Sequence, residues 1–461
     1  MEKTTKELVD FSFKVSYNQL LPSTINACKI ALIDTMGCAI GAYSSPLSVL
    51  TRKFSSRYSC VNSASMIGSS QKVSVEMAAF ANGVMLRFLD LSDSYRVKSG
   101  GHPSDVISGI LSVAESNKCS GQETIEAIVV AYEIYCAFCE SIDINSKGWD
   151  QPVYGVLATT IAIGKLLKLN HEQMGHAVAL SLAPNMSLHQ TRRGELSHWK
   201  GCAAANGARN AVFAAYLAKE GFTGPTSIFE GRAGIWDVVG KFEFPNLNDQ
   251  PNRIEKTHLK SFPVNYHGQS AVWAALDLRQ RVELNDIKSI HIEGYHSAFE
   301  EMGSHPAHWA PKTHETADHS MPYVVATALM NGDIDESSFS EFELNRSEKL
   351  NLMQKISVRE DITLTDLFPV SAPCRMKVTK IDGTFIESYI NSPKGHADNP
   401  FSLEDVKNKF KNLSTKFCSE QQANQIIDML LNIDQLKDVS QLFDHLSQIN
   451  HSAVSRGKCK E

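Results

Sequence analysis

The run KGCAAANGARNAVFAAYLAK occupies residues 200–219 and is dense in alanine and glycine, ending just before Gly221. Small side chains at this density let neighbouring helices approach closely, which is typical of a helix in the middle of a packed bundle. Apolar residues recur at helical spacing through most of the first 240 residues. The pattern predicts further helices over residues 24–42 (capped by Ser23), 73–89, 104–115, 122–141, 153–167 and 172–182.

Near residue 255 the continuous helical pattern gives way to a mixture of strand and helix patterns. Residues 287–292, IKSIHI, alternate as a strand, and a helix is predicted over residues 315–330. Residues 375–390 carry a hairpin pattern with Asp382-Gly383 as the turn. Helical spacing returns at residues 403–410 and 420–431.

These patterns predict a mainly α fold, with a large all-helical domain and a smaller α/β domain. The helical domain takes residues 1–262 and is rejoined by helices in 398–450. The smaller α/β domain takes residues 263–397, and residues 451–461 form a loose polar tail.

The bulk composition is that of an ordinary globular protein: 461 residues, 43% hydrophobic, 21% charged and a formal net charge of -6. Nucleic acid is not an expected partner, because no block of lysine and arginine stands out. A membrane is not expected either, since no run approaches the roughly 18 apolar residues of a span. The N-terminal residues resemble neither a signal nor a transit peptide, so a cytoplasmic protein is expected.

The ten cysteines are scattered without a disulfide framework. Cys136 and Cys139 form a CxxC pattern inside an apolar helix, where core packing is a better explanation than a metal site.

A first polar cluster, LDLSDSYRVKSGGHPSD, spans residues 89–105 and packs seven ionisable groups between two apolar segments. Such groups are costly to bury unless they pair or bind something. His102 precedes Pro103 at a predicted helix start, where free N–H groups favour a bound anion. The alternative is a solvated surface loop.

A second cluster, HQTRRGELSHWK, spans residues 189–200. Arg192 and Arg193 suit bidentate recognition of a carboxylate. Lys200 stands at a helix start, where a cation is disfavoured unless a bound anion offsets it. An exposed basic loop is the alternative.

Two more clusters follow, KSFPVNYHGQS at residues 260–270 and KTHETADHSMPY at residues 312–323. In the former, Tyr266, His267 and Gln269 can hydrogen-bond a polar ligand, although a linker with satisfied polar groups is equally consistent. In the latter, Tyr323 near a helix start can act as a donor or proton relay, while Asp318 or Ser320 can simply cap that helix.

Several catalytic signatures are missing from the chain: GxGxxG, the P-loop, HExxH and GxSxG. Nothing in the sequence therefore indicates a nucleotide, a metal or a serine nucleophile. The remaining set of His, Asp, Lys, Tyr and Arg suits proton abstraction and elimination on a carboxylate-rich substrate.

The polar clusters, the Ala-rich helix and the motif GHADNP at residues 395–400 occur in an order that resembles the MmgE/PrpD family, over about residues 5–430. This family includes dehydratases of 2-methylcitrate, which act in propionate breakdown, and a decarboxylase of cis-aconitate. The resemblance implies a helical domain built from both chain ends, an α/β lid, a homodimer, and no metal or organic cofactor.

The resemblance also implies site residues. The catalytic set is Asp90, Ser94, His102, Lys200 and Tyr323. Two further positions of the resemblance, Asp150 and Gln269, join residues taken from the polar clusters themselves in a substrate-binding set: Lys98, Asp150, Arg192, Arg193, Tyr266, His267 and Gln269. Asp150 and Gln269 stand where the decarboxylase has histidines, which favours dehydration. Ser92 and Ser94 depart from the asparagine and threonine common in dehydratases.

The first hypothesis is a hydro-lyase that dehydrates 2-methylcitrate or a close tricarboxylate. His102 and Asp90 would be the acid/base pair, Lys200 would stabilise carboxylate charge, and Tyr323 would protonate or orient the leaving hydroxyl. The alternatives are decarboxylation of cis-aconitate, epimerisation of a dicarboxylate, or a non-catalytic binding protein on the same scaffold.

Overall fold

The computed structural model describes residues 1–193, 196–247 and 251–449. The predicted loose tail, 451–461, lies outside the described residues. The fold is mainly α with a small mixed sheet in the later part of the chain, so the predicted fold class is confirmed.

The first half of the chain is built from helices that begin and end close to their predicted limits. Ser120 caps one of them with a capping box, because its hydroxyl accepts the N–H of Glu123 and the Glu123 carboxylate accepts the N–H of Ser120. Another begins at Pro22 rather than after a Ser23 cap, since proline fits the first helical position. The helices are α1 Lys3–Lys14, α2 Pro22–Gly41, α3 Pro46–Ser55, α4 Val75–Phe88, α5 Ile107–Ser116, α6 Gly121–Ser141, α7 Pro152–Leu166, α8 His171–Leu182, α9 Trp199–Lys219 and α10 Ile235–Val239.

The domain predicted to be all-helical also contains two short antiparallel ribbons. Strand β1 (Ser63–Ser65) pairs with β2 (Lys72–Ser74), and β3 (Tyr95–Arg96) pairs with β4 (Gly100–Gly101). The second ribbon folds the first polar cluster back on itself.

Helix α9 packs against α4, α7 and α8, as its small residues predict. The approach to α4 is close, because a Cβ added at Gly83 would lie 2.8 Å from the Cβ of Ala205. Small residues on both helices are therefore a condition of this packing.

The later part of the chain surrounds a four-stranded sheet of strand order β6-β5-β7-β8. Strand β6 runs parallel to β5, and the remaining neighbours are antiparallel. The predicted hairpin is present, with Gly383 at φ 88° in its turn, where a glycine has no steric penalty. The elements are α11 Gln269–Arg279, β5 Ile287–Gly294, α12 His296–Met302, α13 Pro306–Trp309, α14 His314–Ala317, α15 Met321–Asn331, α16 Glu341–Leu344, α17 Ser347–Met353, β6 Ile356–Glu360, α18 Ile362–Thr365, β7 Cys374–Lys380 and β8 Phe385–Ile390.

The helix predicted over residues 315–330 is wrong, because the chain breaks between α14 and α15 at residues 318–320. Pro322 lacks an N–H and would clash with the carbonyl four residues earlier in a continuous helix. Ser320 takes over as the cap of α15, its hydroxyl accepting the N–H of Tyr323 at 3.2 Å. The break leaves Asp318 and His319 at a corner rather than inside a helix.

The last helices return to the first half of the chain: α19 Leu403–Ser414 and α20 Glu420–Leu431 pack on α2, and α21 Ser440–Leu446 packs on α20. One hydrophobic core contains residues from Leu8 to Ile254 together with residues from Val406 to Ile449. A second core runs from Phe262 to Val378. The domain limits at residues 262 and 397 stay predictions.

Within the described residues, no single helix is both long and apolar enough to cross a membrane. Among the described helices, the bent pair α2 and α3, which meet at 94°, is the one that reaches the required length and composition together.

Candidate active site

A cleft of about 510 Å³ lies between the helical part and the sheet-containing part of the chain. This volume suits a small polar ligand. Both walls are rich in ionisable groups. The helical wall includes Arg87, Asp90, Arg96, Lys98, His102, Asp150, His189, Arg192, Arg193 and Lys200, and the other wall includes Lys260, Tyr266, His267, Glu301, His308 and His319.

Asp90 is at the centre of the charged groups. It follows α4 with a φ of 47°, a left-handed conformation that aspartate tolerates better than most residues. Its Oδ1 accepts hydrogen bonds from Arg87 Nη1 at 2.6 Å and from Lys260 Nζ at 2.8 Å. Lys200 Nζ lies 3.6 Å from the other oxygen, Oδ2.

The surroundings keep Asp90 ionised. Burial alone would raise its pKa, but the three neighbouring cations outweigh burial and hold the pKa of Asp90 well below its ordinary range. Asp90 is therefore a poor proton donor, and its role in this geometry is to hold two lysines and an arginine together.

Lys200, at the start of α9, is surrounded by groups from the break between α14 and α15. Its Nζ lies 3.2 Å from Asp318 Oδ2 and 3.3 Å from His319 Nδ1. His319 Nδ1 also lies 2.5 Å from Asp318 Oδ1, so this nitrogen carries a proton toward the carboxylate. Protein carboxylates, rather than a bound anion, thus offset the lysine at this helix start.

Asp90, Asp318 and His319 form the group of potential metal ligands in the described residues, with their ligand atoms within 4.8 Å of one another. The ammonium groups of Lys200 and Lys260 lie against the same carboxylates, at 3.2 Å from Asp318 and 2.8 Å from Asp90. Protein cations therefore already balance the charge of this group.

His102 is held as a neutral imidazole with a defined tautomer. Its Nδ1 lies 2.6 Å from the carbonyl oxygen of Asp93, which can only accept, so Nδ1 carries the proton. Burial is the main cause of a pKa for His102 well below the ordinary value, and Arg87 adds to the effect. The lone pair of Nε2, which has no hydrogen-bond partner among the described residues, is left for the cleft.

The anion expected at the helix start after His102 is a side chain of the protein. The backbone N–H of Ser104 donates to Asp93 Oδ1 at 2.9 Å, and the hydroxyl of Tyr132 donates to Oδ2 at 2.8 Å. Asp93 therefore fixes the loop that carries His102, and the expectation of a ligand at this helix start is wrong.

Arg192 is held in position at the cleft by Asp150. Asp150 is fully buried, and its Oδ1 accepts from Arg192 Nε at 2.7 Å. Arg192 Nη2 is buried without a hydrogen-bond partner among the described residues. Because buried donors are nearly always satisfied, this N–H marks a position for an acceptor atom of a bound molecule. Asp150 thus orients Arg192 through Oδ1, and its other oxygen, Oδ2, is also buried without a hydrogen-bond partner among the described residues.

The mouth of the cleft carries the two remaining cations of the predicted binding set. Arg193 is exposed there, and Lys98 is exposed with its Nζ donating to the carbonyl of Ser141 at 2.9 Å. Both add to the positive charge at the entrance.

The opposite wall presents Tyr266 and His267. The hydroxyl of Tyr266 is buried without a partner among the described residues, so it is available to a ligand. His267 Nδ1 lies 2.7 Å from the hydroxyl of Tyr295, and its Nε2 lies 3.6 Å from Glu301 Oε1. Burial lowers the pKa of His267 to about 4, so this imidazole is neutral near pH 7.

Three residues of the predicted site do not line the cleft. Tyr323 is buried in the second core, where its hydroxyl donates to the carbonyl of Ser338 at 2.6 Å. Gln269 uses its amide on backbone groups of residues 261–264. Ser94 accepts from Arg96 Nε at 2.9 Å, and its backbone pairs with that of His258. Each of these side chains is committed to the fold.

Sequence reasoning missed three cleft residues that contact Asp90 or Lys200. Arg87 was visible as a charge near the end of an apolar helix, and Lys260 was visible as the first residue of its cluster. His319 was visible beside Pro322, whose presence indicates a helix break. The sequence does not show that these residues contact one another in the fold, since Lys260 and Asp90 are 170 positions apart.

Comparison with known proteins identifies the class. Residues 6–246 match the MmgE/PrpD N-terminal domain, and residues 262–435 match the MmgE/PrpD C-terminal domain. The chain belongs to the MmgE/PrpD family.

Individual relatives align along most of the chain. It is 30% identical over 437 residues to the alkylcitrate dehydratase phiI of a fungal species, covering 86% of this chain and 84% of that protein. It is 27% identical over 440 residues to the probable 2-methylcitrate dehydratase of Saccharomyces cerevisiae, covering 86% and 82%. It is 26% identical over 466 residues to the 2-methylcitrate dehydratase of Escherichia coli, covering 94% and 95%.

Proposed function

We propose that this chain is a hydro-lyase that removes water from 2-methylcitrate or a closely related tricarboxylate. The names of its relatives support dehydration of a citrate-type acid. The observation that carries the proposal is the neutral imidazole of His102, which opens into a cleft with several fixed cations.

His102 is the proposed base. A C–H bond beside a carboxylate is weakly acidic, so its proton needs a base and the resulting charge needs cationic support. Nε2 of His102 provides the lone pair, because Nδ1 is committed to the carbonyl of Asp93. Arg192, through its unpaired Nη2, is the proposed clamp for a substrate carboxylate.

Lys260 is the proposed acid for the leaving hydroxyl, in place of Tyr323. Burial is the main cause of a pKa for Lys260 lowered to about 8, which makes its ammonium a better proton donor than an ordinary lysine. Two of its hydrogen bonds go to Asp90, at 2.7 Å and 2.8 Å, which leaves one N–H for the substrate. Lys200, beside the same carboxylate, would stabilise the developing charge on the substrate.

The experiment is an activity panel with 2-methylcitrate, citrate and cis-aconitate, followed by the ultraviolet absorbance of the conjugated alkene and by product analysis. The wild-type protein is expected to form the alkene from 2-methylcitrate. His102→Ala and Lys200→Ala should each reduce kcat by about 10²-fold or more.

Tyr323→Phe is the matched control, because it keeps the ring in the second core and removes only a hydroxyl that the cleft does not use. It should retain most of the activity. Release of carbon dioxide from cis-aconitate would replace the proposal with decarboxylation. Exchange of a substrate proton with solvent, without loss of water or carbon dioxide, would replace it with epimerisation. Binding without turnover on the whole panel would favour a non-catalytic member.

A homodimer is part of the proposal. Exposed apolar side chains lie on two helices that both pack on α4, namely α3 with Leu50 and Phe54, and α9 with Trp199 and Phe213. A contiguous exposed apolar patch marks an interface, and the proposal is that these side chains form such a patch. Sedimentation equilibrium should give twice the chain mass, and Phe213→Lys with Leu50→Lys should give the monomer.

A further inference from the structure

We infer that Asp105 is a positioning residue that acts on Asp90 through the guanidinium of Arg87. The inference rests on the proposed function, because Arg87 and Asp90 both line the candidate active site. Arg87 lies in the last turn of α4 and is only 3% exposed. Its Nη1 is 2.6 Å from Asp90 Oδ1, and its Nε is 3.7 Å from Asp105 Oδ1. One buried guanidinium therefore lies between two carboxylates.

The contacts that Arg87 makes with the two carboxylates differ in length. Arg87 makes a full hydrogen bond to Asp90, but 3.7 Å is too long for a hydrogen bond to Asp105. Among the described residues, Arg87 Nε and Asp105 Oδ2 are both buried without a hydrogen-bond partner. A buried arginine N–H and a buried carboxylate oxygen of Asp105 are thus both left without a hydrogen bond, and a small movement of Arg87 toward Asp105 would shorten the 3.7 Å contact to a hydrogen bond.

Asp105 is also tied to the proposed base. It lies in the short 3₁₀ helix Pro103–Val106, and its N–H donates to the carbonyl of His102 at 3.0 Å. A shift of Arg87 toward Asp105 or toward Asp90 therefore changes the positive charge near His102 without any movement of the backbone that carries His102.

The charged and titratable groups that act on Asp105 come from several elements. They are Arg87 and Asp90 at the end of α4, Asp93 in the loop after it, Tyr135 on α6, and Arg192 from the second polar cluster. Burial dominates and raises the pKa of Asp105 to about 7, although Arg87 and Arg192 oppose it. His102 and Asp90 both have pKa values well below their ordinary ranges, so neither of them titrates near pH 7.

The consequence is that the activity should decrease on the acid side of its pH profile. Above pH 7 the ionised Asp105 attracts Arg87 and leaves His102 more basic. As the pH falls through 7, Asp105 is protonated, Arg87 is paired with Asp90 alone, and the field at His102 becomes more positive. The turnover number should therefore fall on the acid side with an inflection near pH 7.

The variants Asp105→Asn and Asp105→Glu test this, with Glu115→Gln as the matched control. Glu115 is also a buried carboxylate of the helical part, but it bonds Ser65 and Lys72 rather than Arg87. The kcat of Asp105→Asn should fall about tenfold at high pH, and its acid inflection should disappear. Asp105→Glu should recover part of the activity and keep an inflection, and Glu115→Gln should keep the wild-type profile.

A second readout does not need activity: the nitrogen NMR shift of Arg87 Nε as a function of pH. In the wild-type protein it should move through a transition near pH 7, and in Asp105→Asn this transition should be absent. The inference is overturned if Asp105→Asn keeps the acid inflection and Arg87 Nε shows no transition that depends on Asp105. If the wild-type protein dehydrates no tricarboxylate, the proposed function fails while the NMR measurement still decides the coupling.

Discussion

Two lysines share the ionised carboxylate of Asp90, and they differ in their other partners. Lys200 also donates to Asp318, whereas among the described residues Lys260 gives both of its hydrogen bonds to Asp90. Lys260 is completely buried, and burial is the largest cause of its lowered pKa. The pH dependence on the alkaline side should therefore depend on Lys260.

Lys260→Arg tests this assignment. A donor must be protonated, so the wild-type kcat should decline as the pH rises through about 8, the pKa of Lys260. Arginine stays protonated throughout this range but is a poor proton donor, so the variant should lose about 10²-fold in kcat and lose the alkaline limb. A pH profile of kcat is the measurement, and an unchanged alkaline limb in the variant would assign that limb to another group.

Asp150→Ala should act on binding rather than on chemistry. Without the carboxylate, Arg192 loses the partner that orients it, and a charged hydrogen bond of this kind contributes about 1.5–3 kcal/mol. The KM for the tricarboxylate should rise about tenfold or more while kcat changes little. Arg192→Ala and the double variant are the controls, since Asp150→Ala should add almost nothing once Arg192 is gone. A large fall in kcat with unchanged KM would contradict this role.

At the scale of single elements, helix positions followed from the sequence more readily than helix ends and breaks. Periodicity located α6, α7 and α20 to within a residue or two, because these helices bury a continuous apolar surface. The break at residues 318–320 was missed, since apolar spacing continues across it. The same break positions Asp318 and His319, so the error in the fold and the omission from the site have one cause.

The close packing of α4 on α9 gives a stability prediction. A Cβ added at Gly83 would lie 2.8 Å from Ala205 Cβ and 2.9 Å from Ser108 Oγ, so Gly83→Ala should destabilise the protein by about 1–3 kcal/mol. The matched control is Gly155→Ala in α7, where the nearest atom would be 3.7 Å away. This change should leave stability unchanged or raise it by about 0.5–1 kcal/mol. The measurement is the Tm of thermal unfolding for both variants. Equal Tm values would show that α4 and α9 can move apart to accommodate the added methyl group.

At the scale of the whole molecule, distant parts of the chain meet at the candidate active site, and local sequence patterns carry no information about such contacts. Lys409 of α19 donates to Asp34 Oδ1 on α2 at 2.6 Å and to the carbonyl of Leu91 at 2.9 Å. Leu91 follows Asp90 directly. The last part of the chain thus holds the loop that carries the central carboxylate.

Lys409→Met should therefore reduce both stability and activity. It leaves Asp34 buried without its cation, and breaking such a pair by removing one partner costs about 3–5 kcal/mol. Adding Asp34→Asn should restore much of the stability but little of the activity, because the bond to Leu91 stays broken. Tm and kcat of the single and double variants are the measurements. Full activity in Lys409→Met would show that the loop holds its position unaided.

The return of the last helices to α2 also has a consequence for synthesis on the ribosome. The sheet-containing core is complete once residue 390 has emerged, whereas the first core lacks α19, α20 and α21 until residues 403–446 have been synthesised. During that interval the apolar surface of α2 that these helices cover is exposed. The helical half is therefore the part of the nascent chain that is open to aggregation and to chaperone binding, although it is synthesised first.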